Sequence, residues 1–353
     1  MSLDTLRRTA ELALQIGMRK GRLQIAWQMG EPLAVSIDWY RTAHQILSEV
    51  LGQDRFSSHI QTNGTLLSSD WINWFLEDHR LRVSISLDGP QPIHDARRKQ
   101  RSGAGTHEKA MSAVRSLHAA GVPFSCISVV NEEQLDDPDA FYEFFVGVGP
   151  RRLGINIEET DGINRFSSLI LPGGRRSRSR EARFRRFVHR VSSRVLRSGG
   201  FELRELRDIV RLSAQRRIPL GQLTQPWRIL TVDWEGNVQT YSPELLNINI
   251  PGVGSSLGNV HRDTFASLNS SPHFQALAAQ VAAGIELCRQ TCSYFPICGG
   301  GAPSNKLAEN GSMATSETSF CRYSVQAHFE GTVDAILEVA SDANCRSYPK
   351  ETT

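Results

Sequence analysis

The chain has 353 residues, 40% of them hydrophobic and 22% charged, with a formal net charge of +3 and six cysteines. That length supports one large or two medium domains around a sizeable core, and the balance is that of an ordinary soluble globular protein. No run of eighteen apolar residues is present and the first twenty carry acids among their apolar positions, so neither a membrane span nor a signal peptide is expected; cytoplasmic residence with reduced thiols follows.

From residue 3 to about 19, Leu6, Ala10, Ala13 and Leu14 recur at helical spacing, with Ser2 or Asp4 as N-cap. Residues 22–28 read as a strand ending at Met29-Gly30-Glu31-Pro32, and a helix follows over 37–51. A strand over 56–61 ends at Thr62-Asn63-Gly64 and leads to a helix over 68–79. Residues 81–87 form the next strand, ending at Asp88-Gly89-Pro90. A longer loop then carries His94, Asp95, Arg97 and Arg98, with His94 read as a loop or capping residue. A helix over 107–120, a strand over 122–130 with Cys126 in its core, a helix over 139–146 and a strand over 152–157 complete this region.

Strands alternating with helices through short connections predict an α/β fold with a parallel sheet, open or closed into a barrel. Such folds place their chemistry at the carboxyl ends of strands. Gly30-Glu31-Pro32, Asn63-Gly64, and Ser86 with Asp88 all stand there. Each alone reads as an ordinary turn, and their weight is joint. Arg97 and Arg98 offer bidentate partners for a carboxylate, or are plain surface arginines.

Fifteen arginines fall between Gly174 and Arg217. Glu181, Glu202, Glu205 and Asp208 interleave with them, and Phe184, Phe187, Val188, Val191 and Val195 recur at helical spacing. The stretch reads as a solvated helical bridge; no nucleic-acid motif accompanies it, and no nucleic-acid partner is expected. After Pro226 the character changes to two strands around Trp234-Glu235-Gly236-Asn237, then a helix over 263–283 and a last helix over 323–339. The boundary is placed near residue 220, dividing 1–220 from 221–353, with the bridge at about 174–217.

Between those helices lie Cys288, Cys292, Cys298 and Cys321, spaced C-x3-C-x5-C-x22-C on a segment that reads as turn-rich and helix-poor. Four soft thiolates so placed suit a tetrahedral zinc or an iron–sulfur cluster, and spacing alone does not separate the two. Reduced core cysteines or two disulfides are the plainer alternatives. Cys345 has no evident partner. The sequence carries no HExxH, no phosphate-binding loop and no Gly-x-Ser-x-Gly elbow.

The segments WQMGEPL (27–33), QTNGTLL (61–67) and SISLDGPQPIHDARR (84–98) resemble those of radical S-adenosylmethionine (SAM) enzymes with a SPASM domain. Met29 stands where that family has the first glycine of Gly-Gly-Glu-Pro. The resemblance implies a partial (β/α)6 barrel lacking its first strand, followed by a SPASM iron–sulfur domain. It also implies that SAM is held around Gly30, Glu31, Pro32, Gln61, Asn63, Ser86, Asp88 and Arg98. CGGGAPSNKLAENG and DWEGNVQTYSPELL (233–246) resemble the glycine-rich-repeat maturases, whose partner is a ribosomally made precursor peptide.

By that likeness Cys288, Cys292, Cys298 and Cys321 bind one auxiliary [4Fe-4S] cluster. The inner auxiliary cluster is not expected, because Ala302 replaces one of its cysteines. The family's C-x3-C-x2-C loop, which binds the SAM-cleaving cluster, is missing, since no cysteine precedes Cys126. The expectation is a chain truncated before that loop, through a misplaced start or as a genuine short form, and making no radical as given. The implied activity is oxidative modification and cross-linking of a peptide. The alternatives are a non-catalytic peptide-binding protein with one structural metal site, or a sulfatase-maturating enzyme.

Overall fold

The computed structural model describes residues 1–18, 22–161, 164, 166–171, 175–213 and 221–347. The boundary expected near residue 220 and the side chain of Cys345 lie outside the described residues. Six strands stand side by side in sequence order: β1 (Leu23–Trp27), β2 (Phe56–Thr62), β3 (Leu81–Ser86), β4 (Phe124–Val130), β5 (Arg152–Ile157) and β6 (Glu202–Leu203). All neighbouring pairs are parallel. Each connection must therefore cross back over the sheet. The crossings are made by α2 (Ile37–Leu51), α3 (Ser69–Glu77), α4 (Gln91–Arg97) with α5 (His107–Ala119), α6 (Pro138–Val148), and α7 (Arg178–Ser198). A helix α1 (Leu3–Gln15), capped by Ser2, precedes β1, and α8 (Arg204–Ser213) follows β6.

The loop expected to carry His94 to Arg97 is instead the helix α4, which begins where Pro92 is tolerated because a first-turn N–H has no intrahelical partner anyway. The arginine-rich bridge is not continuous helix: β6 interrupts it and pairs with β5 at Arg152–Glu202 and Leu153–Leu203. Two residues of strand carry no readable alternation.

The remaining chain forms a three-stranded antiparallel sheet of β7 (Leu230–Val232), β8 (Asn237–Thr240) and β9 (Gly258–Asn259). Helices α9 (Phe265–Ser270), α10 (Pro272–Thr291), α11 (Phe295–Cys298), α12 (Pro303–Asn310), α13 (Ser319–Cys321) and α14 (His328–Ser347) follow, with a π-helical turn at Arg322–Ala327. The single helix expected over 263–283 is two, broken at Ser271, whose hydroxyl caps α10 ahead of Pro272. The segment expected to be helix-poor carries short helices at three of its turns.

One core lies between the parallel sheet and its helices and includes Ile60, Ile85, Phe145, Leu153, Phe184 and Phe187. A second gathers Trp227, Val238, Ile250, Phe274 and Leu277. Helix α1 belongs to both regions. Its Leu6 and Ala10 pack with Leu47 and Phe56, while Leu12 joins the second core. Thr5 Oγ1 lies 3.0 Å from His261 Nε2, and Gln15 Oε1 accepts from the Phe265 amide at 2.9 Å.

The arginines of α7 meet carboxylates on two sides. Arg180 and Arg183 reach Glu132, and Arg190 and Arg194 reach Asp139 of α6. Arg185 binds Glu330 and Asp334, and Arg197 binds Glu338 and Asp342, all on α14. Between these rows the stripe Phe184, Phe187, Val188 and Val191 is fully buried. No helix among the described residues is long and apolar enough to cross a membrane.

Phe184 packs edge-on against Tyr323 and His328, joining α7 to the C-terminal helices. Phe184→Ala should cost about 3–5 kcal/mol in urea-induced unfolding, as for other buried aromatics. Arg185→Ala, removing half-exposed ion pairs next door, should cost about 1 kcal/mol or less.

Candidate functional site

The carboxyl end of β1 runs into a turn in which Met29 (φ 70°) and Gly30 (φ 86°) are both left-handed. Glycine takes that conformation without steric cost, whereas methionine does not. Glu31 then holds the loop to the end of β2. Its Oε1 accepts from the Leu33 amide at 3.0 Å and from Thr62 Oγ1 at 2.6 Å, and its Oε2 from the Asn63 amide at 2.9 Å. The Tyr40 hydroxyl donates to the Pro32 carbonyl at 3.1 Å. Asn63 turns its own Oδ1 onto the Thr65 amide and hydroxyl. Gln61 donates through Nε2 to Ser86 Oγ at 2.9 Å, and its Oε1 is buried without a partner. An orphaned buried acceptor is rare, and one at strand ends calls for a donor from elsewhere.

Asp88, only 3% exposed, sits at the end of β3 and serves three elements. Its carboxylate accepts from Arg98 Nε at 2.6 Å and Nη2 at 3.0 Å, and from the Val129 amide at 3.0 Å. Its carbonyl accepts from Gln134 Nε2 at 2.6 Å, and its amide donates to His94 Nδ1 at 3.3 Å. Since Nδ1 accepts, His94 is neutral with its proton on Nε2, facing Thr106 Oγ1 at 3.0 Å. Burial pushes His94 down to about 4. The Arg98 fork thus meets an internal carboxylate, and Arg97 meets Glu158 at 2.8 Å.

The four clustered cysteines come together. Cys288 lies in the last turn of α10, Cys292 caps that helix, Cys298 closes α11 and Cys321 closes α13. All four line one cavity of about 330 Å³, with Tyr294 and Gly301 in its wall. The close turn depends on Gly300: a Cβ there would stand 2.9 Å from Ile285 Cγ1, and its φ is 123°. The described cysteines are all free thiols. Burial pushes Cys321 up to about 11 and raises Cys126, a core residue of β4.

Among the described residues no three His, Cys, Asp or Glu side chains converge closely enough for a single metal ion. Zinc draws its sulfurs in to about 2.3 Å, whereas a polynuclear cluster takes thiolates spread around a larger void. The Lys306 ammonium, 3% exposed, is 3.3 Å from Cys288 Sγ and 3.0 Å from the Gly284 carbonyl. A buried cation needs an anionic partner. Burial raises the Cys288 thiol, which donates to the Gly300 and Ser316 carbonyls, while Lys306 pulls the other way. Deprotonated as a cluster ligand it would give Lys306 its anionic partner, and the four-thiol donor set fits an iron–sulfur cluster.

Two residues that the sequence reading passed over join the strand ends to the cysteine segment. Glu159, just past β5, accepts from Asn305 Nδ2 of α12 at 2.7 Å. Burial, reinforced by Asp161, Glu244 and Glu309, pushes its carboxyl up to about 7. The signal was present: Glu159 follows a strand, as Glu31, Asn63 and Asp88 do.

Parallel strands bearing polar residues at their carboxyl ends, followed by a region with four thiols around one cavity, make up the partial barrel and its C-terminal region. A model described as the radical SAM superfamily matches residues 2–145. The Synechocystis protein sll1766 is 35% identical over 96% of this chain and 85% of its own length. A serine-type anaerobic sulfatase-maturating enzyme of Bacteroides thetaiotaomicron is 35% identical over 34% of this chain, a match spanning 28% of that enzyme. Among solved structures, anSMEcpe with bound AdoMet superposes with a TM-score of 0.73 at 19% identity, over 98% of this chain and 87% of that one. Streptococcus suis SuiB bound to its precursor peptide SuiA gives 0.58 at 14% identity, over 91% and 69%. The chain belongs to the radical SAM superfamily, and both structural likenesses extend through its C-terminal region. The superfamily implies SAM and iron–sulfur chemistry.

Met29→Gly should stabilise the protein by about 1 kcal/mol, because it relieves a left-handed methionine that is 73% exposed and loses little packing. The urea midpoint reads this directly. A second expectation concerns pH. Glu159 holds its proton more tightly folded than unfolded, so wild type should lose stability relative to Glu159→Gln as pH rises from about 4.5 to about 7. Parallel melting curves for both proteins across that window check the sign.

Proposed function

We propose that this chain is a radical SAM/SPASM-type maturase whose substrate is a ribosomally made precursor peptide, joined or oxidised at unactivated C–H positions. The observation that carries the reading is the coexistence of a Glu31-braced strand-end loop with four thiols around one cavity. SAM is held at Gly30, Glu31, Pro32, Gln61, Asn63, Ser86, Asp88 and Arg98. In that set Gly30 lets a ligand approach the backbone, Gln61 Oε1 takes a donor from it, and Asp88 with Arg98 keeps the strand ends in place. Cys288, Cys292, Cys298 and Cys321 hold one auxiliary [4Fe-4S] cluster. Such groups, when bound, supply one-electron oxidation and hydrogen abstraction. Glu159, half-buried beside Asn305, can hold or take up a proton near neutral pH at the junction of the two regions.

A peptide partner is supported by anSMEcpe and SuiB, both of which have structures bound to peptides. The division at about residue 220 into a barrel region and a SPASM region, and residence in the cytoplasm, belong to the same proposal. A sulfatase-maturating role is the second reading, favoured by the likeness to that enzyme class over 34% of the chain. Ala302 and the cysteine-free stretch 233–246 weigh against it, since they leave no ligands for a second auxiliary cluster. A third reading, a peptide-binding protein without turnover, draws on the absence of any cysteine before Cys126. On that same ground we propose that these 353 residues by themselves do not cleave SAM.

Anaerobically purified protein should contain iron and sulfide at about four each per chain, as four thiolates hold such a cluster. One zinc and no sulfide would remove the cluster assignment. Incubated with SAM and dithionite, these residues should yield no 5′-deoxyadenosine; its appearance by mass spectrometry would show a radical-generating centre built from other ligands.

A further inference from the structure

Lys306 occupies a position that lysine rarely holds. It lies in the first turn of α12, behind the glycines that follow Cys298, and its whole side chain is withdrawn from solvent. Its Nζ has two close partners, the Gly284 carbonyl at 3.0 Å and Cys288 Sγ at 3.3 Å, and neither is a carboxylate. The seat is made by omission on the facing helix. A Cβ on Gly284 would stand 3.0 Å from Nζ and 2.1 Å from the Met313 carbonyl, so any side chain at 284 would close the passage. As a thiol, Cys288 donates through Sγ to the Gly300 carbonyl at 3.6 Å and the Ser316 carbonyl at 3.5 Å, bonds it gives up when it ligates a metal as the thiolate.

Desolvating an ammonium is costly unless a negative group is at hand, and one neutral carbonyl does not offset it. A thiolate does, and a cluster ligated by four thiolates carries net negative charge that grows on reduction. Iron–sulfur potentials follow net charge, hydrogen bonds to sulfur and exposure to solvent. A fixed cation donating N–H to a ligand sulfur favours the reduced, more negative state.

We propose that Lys306 sets the reduction potential of the auxiliary cluster, acting through the Cys288 sulfur and raising the potential above what the thiolates alone would give. The inference rests on the cluster assignment for the four cysteines. It gives Lys306 a positioning role toward electron acceptance: a higher potential makes the cluster a better sink for an electron leaving an oxidised peptide.

The test uses the full chain, anaerobically reconstituted with iron and sulfide, and a redox titration followed by electron paramagnetic resonance. Lys306→Met removes charge and donor at similar volume, and Lys306→Gln removes the charge while keeping an N–H. The expected result is an intact cluster in both, with a midpoint shifted negative in Lys306→Gln and further negative in Lys306→Met. Loading of only the glutamine variant, with its midpoint shifted negative, also supports the proposal. Unshifted midpoints in loaded variants would overturn it while leaving the cluster in place. Loss of iron from both variants would overturn it too, making Lys306 an assembly residue only. Wild-type protein that takes up no iron and sulfide would instead remove the cluster reading beneath it.

Discussion

The arrangement of the strand ends depends on one desolvated carboxylate. Asp88 is buried among β3, β4 and α4, and it is tolerated there because its oxygens face donors: the Arg98 fork and the Val129 amide. Its backbone does the same work in the other direction, with Gln134 on the carbonyl and His94 under the amide. Removing a partner would leave an unpaired buried charge, which is far more expensive than the pair is favourable. Glu31 acts in the same way at the neighbouring strand ends, closing β1 onto β2. Two acids thus fix the geometry of four strand ends, and a ligand can then be met by groups that need not move.

Much of the parallel sheet was legible in the sequence, because its signal is local. Short segments of apolar or alternating pattern gave five of the six strands, four of them closed by Gly, Asn or Asp, and the helix over 37–51 and the strand over 152–157 agree with the structure at both ends. What escaped had no local signal. β6 is two residues long and exists only through pairing with β5. The helix α4 was hidden by prolines that punctuate turns as readily as they open helices. In the cysteine segment, glycine and proline density suggested loops, yet Pro303 opens α12 and Gly311 ends it. Of the site, the strand-end residues were legible through a positional rule, whereas Lys306 and Asn305 were not. Their significance lies in what stands across from them, Cys288 and Glu159, far away in sequence.

The arginine-rich stretch is organised by its acidic neighbours. In space Arg190 and Arg194 meet Asp139 of α6 on one flank, and Arg185 and Arg197 meet acids of α14 on the other. Single exposed pairs contribute little to stability. What the two rows do is set direction: they admit α7 between its neighbours in one rotational setting, with the phenylalanine stripe inward. The same helix therefore packs against the parallel sheet and the C-terminal helix together.

Helix α1 ties the two ends of the chain, and this bears on the order in which the protein is made. Gln15 meets Phe265 across 250 residues of sequence, and Leu12 belongs to the core built from residues after 220. At about 5–20 residues per second, a ribosome needs roughly 12–50 s to deliver the second partner after the first. For that interval the helix can settle its Leu6 face against α2 and β2, but its Leu12 face stays wet. A nascent chain in this state presents a small apolar patch long before the complementary surface exists, which makes this the stretch where a holdase or an early misfolding event would act.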